Sequence, residues 1–351
     1  MYNNLMMKIL VTGGSGFIGS HTCLELILKG YKVLIIDSLI NSSKKVVDRI
    51  SQLAHLNQNE KDRILEFIQC DLRDENFLRN IFKNYNVDAV IHFAGLKSIY
   101  ESTINPLKYW DFNVKSTLNL LNVMNEFDCK NIVFSSSASV YGNSQSKKKF
   151  NEESIPNPLN PYGETKFIIE NLLEKLHSSS PNEWRIAILR YFNPIGAHPS
   201  GLLGEFPTNQ SNNIIPAINK VAAGEKLFLE ICGSDWDTPD GTGIRDYIHV
   251  MDLASGHIKS LEYIFKSDSN FIKLNLGTGE GTSVLSLLET FEKVNNIKIP
   301  FKYVPKRVGD TAYSIADNKQ ALNKLGWLPK KDLNDMCKDS WNFFSRNPSG
   351  Y

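Results

Sequence analysis

The stretch Tyr162-Gly-Glu-Thr-Lys166 sets a phenol and an ammonium four residues apart. On a helix that spacing brings both to one face with Cβ atoms about 6 Å apart, so the two groups can act together. A free phenol has a pKa near 10, and its use as a base near neutrality requires about 3 units, or roughly 4 kcal/mol, of phenolate stabilisation. A neighbouring ammonium and a cationic cofactor ring are the available sources. A hydroxyl that bonds the substrate oxygen would complete the site, and Ser137, at the end of the run NIVFSSS, stands where one is needed. As a bare pattern, tyrosine with lysine four residues later is common, so its meaning depends on the elements around it.

The stretch VTGGSGFIGSH carries Gly13-x-x-Gly16-x-x-Gly19. A strand that feeds a glycine turn and then a helix aims backbone N–H groups and the positive helix end at a pyrophosphate. A turn made tight for packing alone is the other reading. Asp37 favours the dinucleotide, because it ends the strand-like run KVLIID at the spacing where an acid accepts from the adenosine ribose hydroxyls. A carboxylate there repels the extra phosphate of NADP, which makes NAD the expected cofactor. Asp71, after ILEFIQC, could meet the adenine edge or serve as a turn or helix N-cap residue. Lys97 lies just past the run DAVIHF, on the side of a sheet where ligands bind, and a solvated lysine is its alternative.

The elements that must position these groups alternate along the chain. KILVT, KVLIID, ILEFIQ, DAVIHF, NIVFSSS and WRIAILRYF read as strands. Helical periodicity fills the intervals Phe17 to Lys29, Ser42 to Leu56, Glu75 to Asn84, Pro106 to Phe127 and Pro161 to about Leu176. Such alternation implies right-handed crossovers and a parallel sheet covered on both faces, the doubly wound Rossmann arrangement of an α/β protein. After Phe192 come long Pro- and Gly-rich loops, NPIGAHPSGLLGEFP and GSDWDTPDGTG, of the kind that carry function. Helices are expected near Ile214 to Ala223, Val250 to Phe265, Val284 to Val294 and Leu333 to Phe344, with strands KLFLEI and FIKLNL. The expected organisation is an NAD-binding domain over 1–192 and a smaller C-terminal α/β substrate domain over 193–351, with some segments returning to the first.

At 351 residues the chain exceeds one compact core. Its 39 basic and 38 acidic residues give a net charge of +1, and the longest basic run is Lys147-Lys148-Lys149, read as a solvated loop. That balance argues against a nucleic-acid or membrane-surface partner. The five cysteines, Cys23, Cys70, Cys129, Cys232 and Cys337, show no CxxC spacing, so reduced thiols in a cytosol are expected, and no metal site. The segment MYNNLMMKILV is too short an apolar run for a signal peptide, and no window approaches the roughly 20 apolar residues of a membrane span. The expectation is a soluble, cytoplasmic protein.

TGGSGFIG, the serine before VYG and Tyr162-x-x-x-Lys166 together resemble the extended short-chain dehydrogenase/reductase family, whose members commonly act on nucleotide sugars. HFAGLKSIYES, FSSSASVYG, PYGETK, LRYFNPIGAHPSG, DGTGIRDYIHVMDLA and SRNPSGY are similar to its UDP-glucose 4-epimerases, and the likeness runs from about Lys8 to Tyr351. The resemblance implies that the tyrosine takes the proton of the sugar 4-hydroxyl while NAD takes hydride from C4. The bound 4-keto sugar then turns over and receives the same hydride on its other face. Tyr162 is then the acid/base, Lys166 holds the cofactor ribose and lowers the tyrosine pKa, and Ser137 steers the proton. It further implies cofactor contacts from Gly13, Gly16, Phe17, Ile18, Gly19, Asp37, Asn41, Ser42, Asp71, Leu72, Phe93, Ala94, Lys97, Asn113, Tyr162, Lys166 and Phe192. A sugar that must rotate cannot be held firmly, so affinity must come from the remote UDP. Arg245 and Arg307 are the expected phosphate and uridine donors, guanidinium forks being suited to phosphate, with surface charge as the alternative for each. Asn193 and Asn213 match phosphate-touching positions and would otherwise be loop-capping asparagines. Ser137, Tyr162, Tyr191 and Asp310 complete the implied substrate contacts.

Ser314 matches a gate position at which a small side chain leaves room for a 2-acetamido group, which extends the expected substrates to UDP-GlcNAc and UDP-GalNAc. The resemblance also implies a homodimer, to which Tyr109, Leu118, Leu121 and Met124 of the helix 106–127 could contribute, unless they form an ordinary buried face. A 4,6-dehydratase would need adjacent acids before VYG, where this chain has Ala138 and Ser139. A UDP-glucuronate decarboxylase is a closer alternative, and a non-catalytic nucleotide-sugar or NAD sensor, which typically lacks the tyrosine-lysine pair, is the alternative from another class.

Overall fold

The computed structural model describes residues 7–143, 148–206, 213–266, 270–307 and 309–351. Seven parallel strands form its main sheet, in the spatial order Phe271–Leu276, Arg185–Tyr191, Asn131–Ser137, Ala89–His92, Lys8–Thr12, Lys32–Asp37, Leu65–Gln69. The order reverses direction beside Lys8–Thr12, the place where an open α/β sheet leaves a crevice at its strand ends.

Side-chain alternation explains why the sheet is covered on both faces. Ile9, Val11, Val33, Ile35, Val133, Ala187 and Leu189 enter one apolar cluster, and their sequence neighbours Leu10, Leu34, Ile36, Ile132, Phe134, Ile186 and Ile188 enter another. Strands buried on both faces read as continuous apolar runs, which is the pattern of the sequence. A third cluster, built on Ile215, Ile218, Leu229, Ile231, Phe291 and Met336, is the core of the C-terminal portion.

FIKLNL, grouped by the sequence with the C-terminal portion, is the seventh strand of the main sheet and pairs along Arg185–Tyr191. The preceding helix Val250–Lys266 packs against Phe17–Leu28. Among the described residues three short α-helices go beyond the expected elements: Gln58–Ile64, started by a capping box between Asn57 and Glu60, Ile99–Ile104 and Lys319–Leu325. The expected helix at Ser42 starts later and spans Lys45–Leu53. The helical stretch from Pro106 is interrupted by one π-wound turn, Trp110–Lys115, before continuing as Ser116–Glu126. Of its four residues offered to a partner, Tyr109, Leu121 and Met124 are buried within the chain and only Leu118 is exposed. Lys147 lies outside the described residues, and Lys148 and Lys149 are exposed.

Candidate active site

The C-terminal ends of the strands open into a cavity of about 1380 Å³, lined from the glycine turn and Asp37 at one end to Arg245 and Arg307 at the other. That exceeds the roughly 300–1,000 Å³ of an ordinary small-molecule pocket, so two extended ligands can lie end to end.

At the dinucleotide end, Gly13 has φ +69°, and a Cβ there would lie 2.8 Å from Ala94 N, while one on Gly19 would collide with the Gly13 carbonyl. Only glycine lets the helix Phe17–Leu28 start this close to the strand. No side chain caps that helix and no acid sits in its first turn, leaving its positive end facing the cavity. Asp37 accepts from Ser15 N at 3.0 Å, Leu39 N at 2.9 Å and Ser42 Oγ at 2.8 Å. Ser15 Oγ is buried with no partner among the described residues, although its residue lines the cavity. A close-approach glycine turn, an uncapped helix end, an orphan hydroxyl and a ribose-height carboxylate fit a dinucleotide.

The expected cofactor residues Phe17, Ile18, Asn41, Ser42, Leu72, Phe93, Ala94 and Phe192 line the same cavity. Asp71 does too, and its carboxylate pairs with Arg73 at 2.6 Å, which holds it below the usual carboxylate range. It is a turn residue: the N-cap of the next helix is Asp74. Lys97 reaches Glu205 at 2.8 Å and stands 6.0 Å from the Phe17 ring. Asn113 is absent from the cavity wall and 1% exposed. Its amide accepts from Leu96 N at 2.8 Å and donates to Leu96 O and Thr165 Oγ1, each at 3.1 Å, so it braces the wall from behind. The π-wound turn is what directs it there.

The catalytic residues meet at mid-cavity. Pro161 occupies the first turn of the helix Pro161–Ser179 and Asn160 caps it, accepting from Gly163 N at 2.9 Å. That start carries Tyr162 and Lys166, 8% and 5% exposed, to the end of Asn131–Ser137. Lys166 Nζ donates to Ser135 O at 2.8 Å. Burial pushes its pKa down from 10.5 to about 8, against the attraction of Glu170. Burial also raises Tyr162, and a hydrogen bond with Ser137 works the other way. Tyr191 lines the same cavity, its hydroxyl bonded to Ser135 Oγ. After Ser137 the chain makes a single turn, Ala138–Val140, so no carboxylate stands at the two positions an elimination would require.

At the far end Arg245 pairs with Asp310, and Arg307 Nε donates to Cys232 Sγ at 3.0 Å. Asn193 lines the cavity, and so does Asn213, whose amide donates to Glu205 at 2.9 Å and leaves the helix it precedes uncapped. Ser314 is outside the lining and pairs in register with Arg245.

Sequence reasoning missed Glu205, Trp236 and Tyr351 on the cavity wall: the first two are single side chains within the long loops, and Tyr351 closes SRNPSGY, a segment read only for its resemblance. It also missed the buried pair Glu170 and Arg190, 2.5 Å apart and each 1% exposed, which a charge at the i+4 position after Lys166 could have signalled.

A parallel sheet of this order, a glycine turn and a buried Tyr-Lys-Ser set define a dinucleotide-fold protein of the extended short-chain dehydrogenase/reductase class. Consistently, a family model described as GDP-mannose 4,6 dehydratase matches residues 10–340. Within that class the similarities are narrower, and the chain belongs to the UDP-glucose 4-epimerase family. It is 47% identical over 344 residues to UDP-glucose 4-epimerase 2 of Oryza sativa subsp. japonica, covering 98% of this chain and 83% of that one. The solved UDP-glucose-4-epimerase of Stenotrophomonas maltophila, with bound NAD and formylated UDP-arabinopyranose, superposes with a TM-score of 0.92 at 43% identity, over 98% of this chain and 99% of that one. The enzyme from Bifidobacterium longum, in complex with NAD+ and UDP, gives the same score and identity over 98% and 100%.

Proposed function

We propose that this chain catalyses the NAD-dependent, reversible epimerisation at C4 of UDP-glucose and UDP-galactose through a bound 4-keto sugar. The observation that carries the proposal is the burial of Tyr162, Lys166 and Ser137 together, between a dinucleotide-shaped end and an arginine-bearing end of one cavity. NAD, when bound, supplies a reversible hydride acceptor for C4. Gly13, Gly16, Gly19, Asp37 and Lys166 would hold it.

Tyr162 takes the 4-hydroxyl proton as hydride leaves, and returns it when hydride comes back. The Ser137 hydroxyl opposes the burial that keeps the phenol neutral, and the Lys166 cation, one turn along the same helix face, would add to that effect. Arg245 and Arg307, with Asn193 and Asn213, hold the UDP, which lets the sugar be gripped loosely enough to turn. Ser314 stands outside the lining but in register with Arg245, and we read its small side chain as keeping that stretch of the site clear for an acetamido group. We also read residues 1–192 as NAD-binding and 193–351 as mainly UDP-sugar-binding, and the protein as a cytoplasmic homodimer. The free state of all five cysteines accords with that compartment.

The test is to incubate purified protein with UDP-galactose, then separately with UDP-N-acetylgalactosamine, without added NAD, and quantify the gluco epimers by chromatography. Conversion of both is expected. Conversion of the first alone would overturn the acetamido reading, and conversion of neither, even with NAD supplied, would overturn the epimerase.

A further inference from the structure

The segment 347–351 runs along the cavity and lies outside the catalytic constellation. Ser349, Gly350 and Tyr351 share its wall with Asn41, Ser42 and Ser43 on one side and with Gly204, Glu205 and Phe206 on the other. Tyr351 is tied to both sides. Its hydroxyl accepts from Gly204 N at 2.9 Å and donates to Gly204 O at 2.6 Å, so one phenol satisfies both backbone groups of a loop residue. Its main-chain oxygen accepts from Lys45 Nζ at 3.0 Å, at the start of the helix that follows Ser42 and Ser43.

The rest of the wall is built to keep this bridge in place. The Tyr351 ring packs on Phe343 with centroids 5.5 Å apart. Gly350 has φ +81°, and a Cβ there would lie 2.6 Å from Phe206, so the segment passes closer to that ring than any other residue would allow. The clasped loop continues into Glu205, which accepts from Lys97 at 2.8 Å and Asn213 at 2.9 Å, joining it to the glycine-turn side and to the UDP side of the cavity.

We propose that Tyr351 is a cofactor-retention residue: by clasping Gly204 and Lys45 it bridges the two walls of the dinucleotide end and slows the escape of bound NAD between turnovers. This rests on the NAD-dependent reading above. A reaction that returns its own hydride has no need to exchange cofactor, so slow release costs it nothing.

The test loads the full chain with etheno-NAD, chases with excess NAD and follows release by fluorescence, with turnover measured separately at saturating NAD. Tyr351→Phe keeps the ring on Phe343 and removes both bonds to Gly204, and its release should be about tenfold faster, as for one or two net hydrogen bonds. Lys45→Met should shift release in the same direction. Arg346→Met cuts the 3.1 Å bond to Ser200 O in the same stretch, away from the cavity wall, and should release at the wild-type rate. Release from Tyr351→Phe at the wild-type rate overturns the proposal, as does Arg346→Met releasing as fast as Tyr351→Phe. A wild type that binds no NAD overturns the epimerase reading and the clasp together, whereas equal release rates from NAD-loaded proteins overturn the clasp alone.

Discussion

Lys166 offers a sharp test of the site, because the fold holds its ammonium in a place that disfavours the charge. Burial takes its pKa from 10.5 down to about 8, with Glu170 recovering only part of the loss. Between those two values the unfolded chain binds a proton that the folded chain does not, so stability rises with pH across that window and the penalty is fully present below it. At 1.36 kcal/mol per unit the whole penalty is about 3 kcal/mol, of which about 2 kcal/mol is relieved between pH 7.5 and 10. Lys166→Met removes the charge and keeps the stem, at the cost of leaving Ser135 O without its 2.8 Å donor. That cost, about 1–3 kcal/mol, does not vary with pH. Urea unfolding of cofactor-stripped wild type and variant at several pH values isolates the term, since all other titrating groups are common to both. The wild type should gain about 2 kcal/mol on the variant from pH 7.5 to 10. A difference that stays constant over that range would refute the reasoning, because a solvated ammonium would titrate alike in both states.

Three further outcomes follow from the geometry. Tyr162→Phe should lower the C4 epimerisation rate by about 10²–10⁴-fold, measured by chromatography, while the NAD content of the purified protein stays the same. Gly19→Ala forces a Cβ into the Gly13 carbonyl and should strip the protein of dinucleotide, read as a fall in the 260/280 nm absorbance ratio after gel filtration. Ser314→Tyr should abolish conversion of UDP-N-acetylgalactosamine and spare UDP-galactose, and equal loss of both would remove Ser314 from the gate.

The parallel sheet was legible because strands covered on both faces leave continuous apolar runs, as in KVLIID and WRIAILRYF. Helix starts were legible where a cap or proline marked them, as at Pro161, and drifted where neither did, as at Lys45. FIKLNL was legible as a strand, but which of the C-terminal segments returns to the main sheet was not, because pairing along Arg185–Tyr191 is a long-range fact that leaves no trace in local pattern. Tyr162 with Lys166 and the glycine turn with Asp37 were legible through spacing, the arginines and asparagines of the far end only through resemblance, and the supports of all of them not at all. Lys166 is held by the Ser135 carbonyl, a group that no residue type advertises. Asp246 reads as the tail of an arginine motif, yet it is fully buried and accepts from Thr278 N at 2.8 Å, Gly279 N at 2.9 Å and Ala316 N at 3.1 Å. It thereby gathers two segments, the turn at Thr278 and Gly279 and the stretch at Ala316, around the strand that carries Arg245.

The catalytic helix and the catalytic strand are joined residue by residue. Tyr162, Lys166 and Glu170 follow one another at successive intervals of four along the helix and share one face. Opposite them, Ser137 faces Tyr162 across the cavity wall, the Ser135 carbonyl takes Lys166 and the Ser136 hydroxyl donates to Glu170. Glu170 is fixed from its other side by Arg190 on the neighbouring strand, through contacts of 2.9, 3.1 and 2.5 Å. A shift of the helix along the strand would break all three links at once and strand a buried carboxylate and a buried guanidinium, and uncovering one member of such a pair costs about 3–5 kcal/mol. The buried ion pair therefore acts as a register lock for the reacting groups. The phenol cannot slide relative to the serine that steers its proton, while the sugar, held from a distance through its UDP, remains free to turn between them.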